Sequence, residues 1–191
     1  YYHGAVKGMY RLLAKLGVNC DFVQTAEAKK LSDYKFVYIP YYTMLKKEVS
    51  EEIAKFVEGG GIAIADEGFG MRQANTWMRP YGIDFKPLVN AELDERRICN
   101  GGETVEGYGK TAGVYPFKTT YEISVGETVA KFSDGQAAIR KIPYGNGEFY
   151  LCGFSIGYSY LKTGDELWRD FINSKVEEAK VEKTALGDGE K

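Results

Sequence analysis

The residues best suited to chemistry lie in "GGGIAIADEGFG", residues 59–70, where a short apolar run ends in Asp66, Glu67, Gly68, Phe69 and Gly70. In open α/β sheets, ligands and nucleophiles gather at the carboxyl ends of parallel strands, so a site is expected here. Two carboxylates can cleave a glycosidic bond when they face one another across a sugar, roughly 5–10 Å apart. Neighbours on an extended strand point to opposite faces, however, so Asp66 and Glu67 converge only if the turn reorients them. Capping the next helix or lining an interface is the simpler role for this pair. The stretch contains no Ser, Cys or His, and so offers neither a nucleophile of that kind nor an imidazole base.

Other reactive types are scattered. Cys20, Cys99 and Cys152 are widely spaced and form no metal-like pattern. Two of them sit in apolar, strand-like settings ("VNCDFV", "YLCGFS"), so buried free thiols are expected, as suits a reducing compartment. His3 is the single histidine, whereas nucleophilic triads and zinc sites need a well-placed one. The glycine-rich "GGETVEGYG" (101–109) lacks the Lys-Ser/Thr ending of a phosphate loop and reads as a mobile surface loop. The 15 tyrosines, among them Tyr41-Tyr42 and the "YSY" of 158–160, have faces that stack on sugars. Such rings more often fill half-buried positions and subunit contacts. Tyr41 and Tyr42, beside the expected strand end, are read as an interface or crevice wall. No catalytic, cofactor-binding or metal-binding residue is assigned, and no cofactor is expected.

A chain of 191 residues fits one domain, or one domain with a trailing piece of another, and can bury a core without staples. Lys+Arg 25 against Asp+Glu 27 gives a net charge of −2 with no basic block, which argues against a nucleic-acid partner. No apolar run approaches the roughly 20 residues needed to span a bilayer. The opening residues do not read as a signal peptide, and a cytoplasmic location is expected.

The elements that must position these residues follow from periodicity. "AVKGMYRLLAKL" (5–16) puts Val6, Met9, Tyr10, Leu13 and Leu16 on one helical face, with Gly17 as a left-handed cap. "VNCDFV" (18–23) and "KFVYIP" (35–40) read as strands, the second ended by Pro40. Leu45, Val49, Ile53, Phe56 and Val57 predict an amphipathic helix that stops at Gly59. The apolar "GIAIA" (61–65) predicts a strand buried on both faces. Short apolar strands alternating with helices imply a parallel sheet. The run opens on a helix, so the first strand of such a sheet is expected upstream of Tyr1. Further on, "VAKFSDG", "QAAIRKI" and "GEFYLCG" predict an antiparallel meander on the sheet's edge, with turns at Asp134-Gly135 and Gly145-Asn146-Gly147. A last helix, "GDELWRDFINSKVEEA", has Asp165 as its cap and Leu167, Trp168, Phe171 and Ile172 as its buried face.

The order of these features resembles the trimerisation domain of family 42 β-galactosidases. "YRLLAKLGVNCDFV", "LSDYKFVYIPYYTML" and "IAKFVEGGGIAIAD" follow in the family's sequence, and "AKFSDGQAAIRKIPYGNGEFYLCG" is similar to its later hairpin. The likeness covers most of residues 5–172. It implies an α/β fold: a flavodoxin-like, class I glutamine-amidotransferase-like three-layer sandwich with a mostly parallel sheet and an antiparallel edge meander in the second half. Residues 1–175 would form that domain, lacking its first strand, and 176–191 a linker or the start of a following β domain. In true amidotransferases the strand after the second helix runs into an elbow bearing a nucleophilic Cys. Here the elbow falls near Ala65–Phe69 and has none. In this family both catalytic glutamates belong to a TIM barrel that the chain lacks, so no catalytic residue carries over. The resemblance implies as partners the parent's own barrel, which hydrolyses terminal β-galactosides, and sister subunits of a homotrimer. It also allows a galactoside at the parent's pocket. Two other functions stay open on the residues alone: a stand-alone enzyme using Asp66 and Glu67, and a carbohydrate-binding or protein-interaction module using the tyrosines.

Overall fold

The computed structural model describes residues 1–72, 83–85 and 88–184. The chain opens with α1 (Tyr2–Lys15), passes through a 3-10 segment (Thr25–Asp33) into β1 (Phe36–Ile39), and continues with α2 (Lys47–Glu58) and β2 (Ile62–Ala65). Strands β3 (Ile83–Phe85), β4 (Val89–Ile98), β5 (Thr104–Gly107), β6 (Lys110–Gly113) and β7 (Phe117–Ile123) follow. The chain then forms β8 (Glu127–Phe132), β9 (Ala137–Tyr144) and β10 (Gly147–Cys152), and ends in α3 (Ile156–Thr163) and α4 (Glu166–Glu178).

The α/β expectation holds. One sheet runs β1-β2-β10-β9-β8-β5-β6, and β3-β4-β7 form a second. Strands β1, β2 and β10 are mutually parallel, while β10, β9, β8, β5 and β6 pair antiparallel. The meander β8-β9-β10 joins the parallel strands at the side of β2 through β10, and β5 and β6 continue the antiparallel half beyond β8.

Alternation along the inner strands gives two cores. Ile62, Ile64, Tyr150 and Cys152 join α1, α3 and α4 in one apolar cluster. Ala63, Ala65, Phe149 and Leu151 join α2 and the second sheet in the other. All four residues of β2 are buried, as a strand with cover on both faces must be.

Several local readings are corrected. Residues 18–23 form no strand; after the Gly17 turn, Val18 N–H returns to the Leu13 carbonyl, and no ladder among the described residues reaches this segment. The glycine-rich 101–109 is not a loop throughout: it holds β5, which pairs with both β6 and β8. Helix α1 is rotated from its expected face, burying Ala5, Gly8, Met9, Leu12 and Leu13 and leaving Tyr10 exposed. The reason is α3. A Cβ at Gly8 would fall 1.7 Å from the Gly157 carbonyl oxygen, so backbone packs on backbone there. The boundary set at 175 falls inside α4, which continues because Val176 is fully buried. Thr184 still hydrogen-bonds the Gly17 carbonyl; residues 185–191, the rest of the expected linker, lie outside the described residues.

Candidate functional site at the end of strand β2

Past β2 the chain turns tightly, with Gly68 and Gly70 at φ 79° and 66°. A Cβ at Gly68 would come 2.7 Å from the Tyr41 ring. Here glycine serves both the left-handed backbone and the close approach. Tyr41 is itself left-handed, at φ 43°. Gly70 and Arg72 N–H donate to the Tyr42 and Thr43 carbonyls, which ties the turn to the segment after β1.

Asp66 and Glu67 are both fully buried and lead in different directions. Asp66 Oδ2 accepts from the Tyr38 hydroxyl at 2.5 Å and from Ser155 Oγ at 2.6 Å. Its Oδ1 accepts from Ile156 N–H at 3.2 Å. The helix it serves is thus α3, the next helix among the described residues although distant in sequence. There it sits beside the N-terminal amides, where negative charge is favoured. Burial nevertheless dominates and raises its pKa to about 7 against those three hydrogen bonds. Tyr38, on β1, accepts from Gly157 N–H and has a hydroxyl pKa pushed well up by burial and by Asp66.

Glu67 faces the other network. Its Oε1 accepts from the Tyr1 hydroxyl at 2.9 Å, and its Oε2 from Arg96 Nε at 3.1 Å and Thr119 Oγ1 at 3.3 Å. The Arg96 guanidinium lies 3.9 Å over the Phe117 ring and also reaches the Tyr41 hydroxyl. Tyr1 packs edge-on against Tyr41, Phe117 and Tyr158. Burial, followed by Glu67, drives the Tyr1 hydroxyl far above its ordinary range.

The two carboxylates therefore do not converge on a common space. The cavity bounded by Tyr41, Thr43, Gly68, Met71, Arg72 and Arg96 measures about 10 Å³, room for a single water and far too little for a sugar ring. A larger depression, about 370 Å³, opens at the other end of β1 and β2, beside Lys35, Lys55 and Gly59. The three cysteines are free, and burial pushes each thiol above its ordinary pKa. Protonated thiols are poor nucleophiles. Among the described residues no group of three or more His, Cys, Asp or Glu could hold a metal. No helix among the described residues is long and apolar enough to cross a membrane.

The two tyrosines part company. Tyr41 lines the strand-end cavity, whereas Tyr42 packs against the core shared by α2 and the second sheet. Tyr1, Tyr38, Arg96, Thr119 and Ser155 were not foreseen as members of this site. "ELDERRI" gives no sign that Arg96 turns inward. Ser155 was legible as an N-cap, had the short helix after it been recognised.

Fold and site together define a class: an α/β domain whose strand-end position is filled by an internal hydrogen-bonded lock. Residues 1–182 match the family described as the beta-galactosidase trimerisation domain, and the chain belongs to that family. It is 25% identical over 170 residues to beta-galactosidase BgaA of Clostridium cellulovorans, covering 84% of this chain and 25% of that protein. The chain thus spans about a quarter of that relative's length. Its fold is similar to the structure of the cold-adapted beta-galactosidase from Rahnella sp. R3, with TM-score 0.82 and 20% identity over 99% of this chain and 29% of that one. It is also similar to the structure of the E323A catalytic mutant of Gan42B, a GH42 beta-galactosidase from G. stearothermophilus, with TM-score 0.81 and 17% identity over 95% of this chain and 26% of that one.

Proposed function

We propose that this chain is the non-catalytic assembly domain of a β-galactosidase-like glycoside hydrolase. Its parent would hydrolyse terminal β-galactosides in a TIM barrel outside this chain, and the domain would hold that barrel and sister subunits in a homotrimer. The observation that carries the reading is the fate of Asp66 and Glu67. Both are buried at the position where this architecture places chemistry, and each is occupied by internal donors. Carboxylates that hydrolyse glycosides must reach the sugar and its attacking water; these reach Ser155, Tyr38, Tyr1 and Arg96. Family membership and the quarter-length match support the same reading. An amidotransferase-like scaffold with a vacated elbow, a galactoside in the parent's pocket bordered by this domain, a domain boundary following α4, and a cytoplasmic location belong to the same proposal.

The test is a hydrolysis assay of the 191-residue chain on a nitrophenyl β-galactoside, beside its Glu67→Gln variant. No turnover above background is expected from either. Turnover that disappears in Glu67→Gln would make the chain an enzyme and overturn the proposal.

A further inference from the structure

We infer that the depression at the amino ends of β1 and β2 binds a small acidic sugar, a monosaccharide carrying a phosphate or a carboxylate. Such a site stands apart from the assembly role. The depression measures about 370 Å³, within the roughly 300–1,000 Å³ typical of small-molecule sites. The carboxyl ends, where sheets of this kind usually bind ligands, offer only about 10 Å³. The larger space is enclosed by the 3-10 segment, the start of β1, the last turns of α2 with the glycines after it, and the end of α4.

Its charge selects an anion. Lys29, Lys35 and Lys55 line it against one carboxylate, Glu52, and Lys55 already holds Glu52 at 2.8 Å. Lys35 Nζ donates to the Lys180 carbonyl at 3.0 Å, which anchors the ammonium and leaves it two further donors. Among the described residues no carboxylate pairs with Lys29 or Lys35, whereas Lys30, Lys47 and Lys110 elsewhere on the surface are each ion-paired. Cations complement the carboxyl ends of helices. That role accounts for Lys55 in the last turn of α2 and for Lys35 beside the end of α4. It accounts neither for Lys29 nor for the open space between the three.

Backbone and rings select the sugar. The C-caps of α2 and α4, Gly59 and Ala179, both border the space, and the last carbonyls of a helix lack helical partners. The carbonyls of Gly59 and Gly60 accept from no described donor. A sugar brings several hydroxyl donors to such acceptors beside its anionic group; a bare inorganic anion does not. The Phe56 ring lies across the start of β2, where a Cβ at Gly61 would come within 2.3 Å of it. Tyr34, held through its hydroxyl by Asp21 at 3.1 Å, is the second aromatic lining residue. Such rings pack on the apolar C–H face of a sugar while its hydroxyls stay with polar groups.

Titration of the 191-residue chain at fixed ionic strength, followed by the amide shifts of Gly59, Gly60 and Gly61, tests this. The probes are galactose 6-phosphate, galacturonate, galactose and inorganic phosphate. Saturable shifts are expected with one or both anionic sugars, at concentrations where galactose and inorganic phosphate give none. The tighter of the two names the anionic group. Lys29→Gln, at an exposed side chain, is expected to weaken binding roughly tenfold, and Glu52→Gln to tighten it a few-fold by freeing Lys55. No saturable shift with either anionic sugar, or an unchanged affinity in Lys29→Gln, would overturn the proposal. Saturation by inorganic phosphate as readily as by galactose 6-phosphate would make this a plain anion site and overturn the sugar.

Discussion

At the residue scale, the two acids of the strand end act as fasteners of opposite kinds. Asp66 joins β1, β2 and α3 and carries a folded pKa near 7, against about 3.9 in an unfolded chain. Between those values the folded state holds a proton that the unfolded state has released. Stability is therefore fullest below about pH 4 as far as this group is concerned, and it falls as pH rises towards 7. The loss is on the order of a few kcal/mol, and Asp66→Asn is expected to remove it. Urea unfolding midpoints at pH 5 and pH 8 measure this; an equal slope in both proteins would refute the assignment. Glu67 is held by a cation instead. Arg96→Ala leaves a buried carboxylate without its charge partner, a change that typically costs about 3–5 kcal/mol. The partial exposure of Arg96 places this pair towards the lower figure. A double-mutant cycle with Glu67→Gln should give a coupling of about 1–3 kcal/mol; a value near zero would mean the contact is idle. The acids themselves stood out in the sequence. Their partners did not, because Tyr1, Ser155 and Arg96 come from three segments that only the fold unites.

At the element scale, the contact between α1 and α3 governs how the N-terminal helix lies. A Cβ on Gly157 would meet the Ala5 carbonyl oxygen at 2.1 Å, mirroring Gly8 against Gly157. Gly8→Ala must push two backbones apart, and overpacking of that kind costs about 1–3 kcal/mol. For a domain of this size that is a fall in Tm of several degrees. Gly107→Ala, where the nearest atom is 3.6 Å away, is the matched control with little change expected. Thermal unfolding of the pair decides; equal Tm values would contradict the packing. The same contact explains what the sequence could and could not show. α2, β1, β2 and the strands of the late meander were legible because Leu, Val, Ile and Phe recur at helical or strand spacing. α3 was missed, since "IGYSYLKT" is short and Gly157, where it approaches α1 most closely, carries no hydrophobic signal. The rotation of α1 was missed for the same reason: Ala5 and Gly8 carry no hydrophobic signal. β4 hid its alternation of Val89, Ala91 and Leu93 behind charged residues on the opposite face.

At the scale of the whole molecule, the domain is two cores back to back on one sheet, with its strand ends sealed and an apolar β1 left at the edge. The family to which the chain belongs is described as a trimerisation domain. The family was legible from the order of weak motifs, because order reports topology even where no single motif is distinctive. The oligomeric surface was not, because a subunit contact and an ordinary exposed tyrosine look alike in one chain. The decisive measurement is the mass of the natural protein under denaturing and then native conditions. A subunit several-fold heavier than 21.4 kDa, with a native mass three times that subunit, is the expected result. A subunit of 21.4 kDa, or a native mass equal to that of one subunit, would contradict the assembly role.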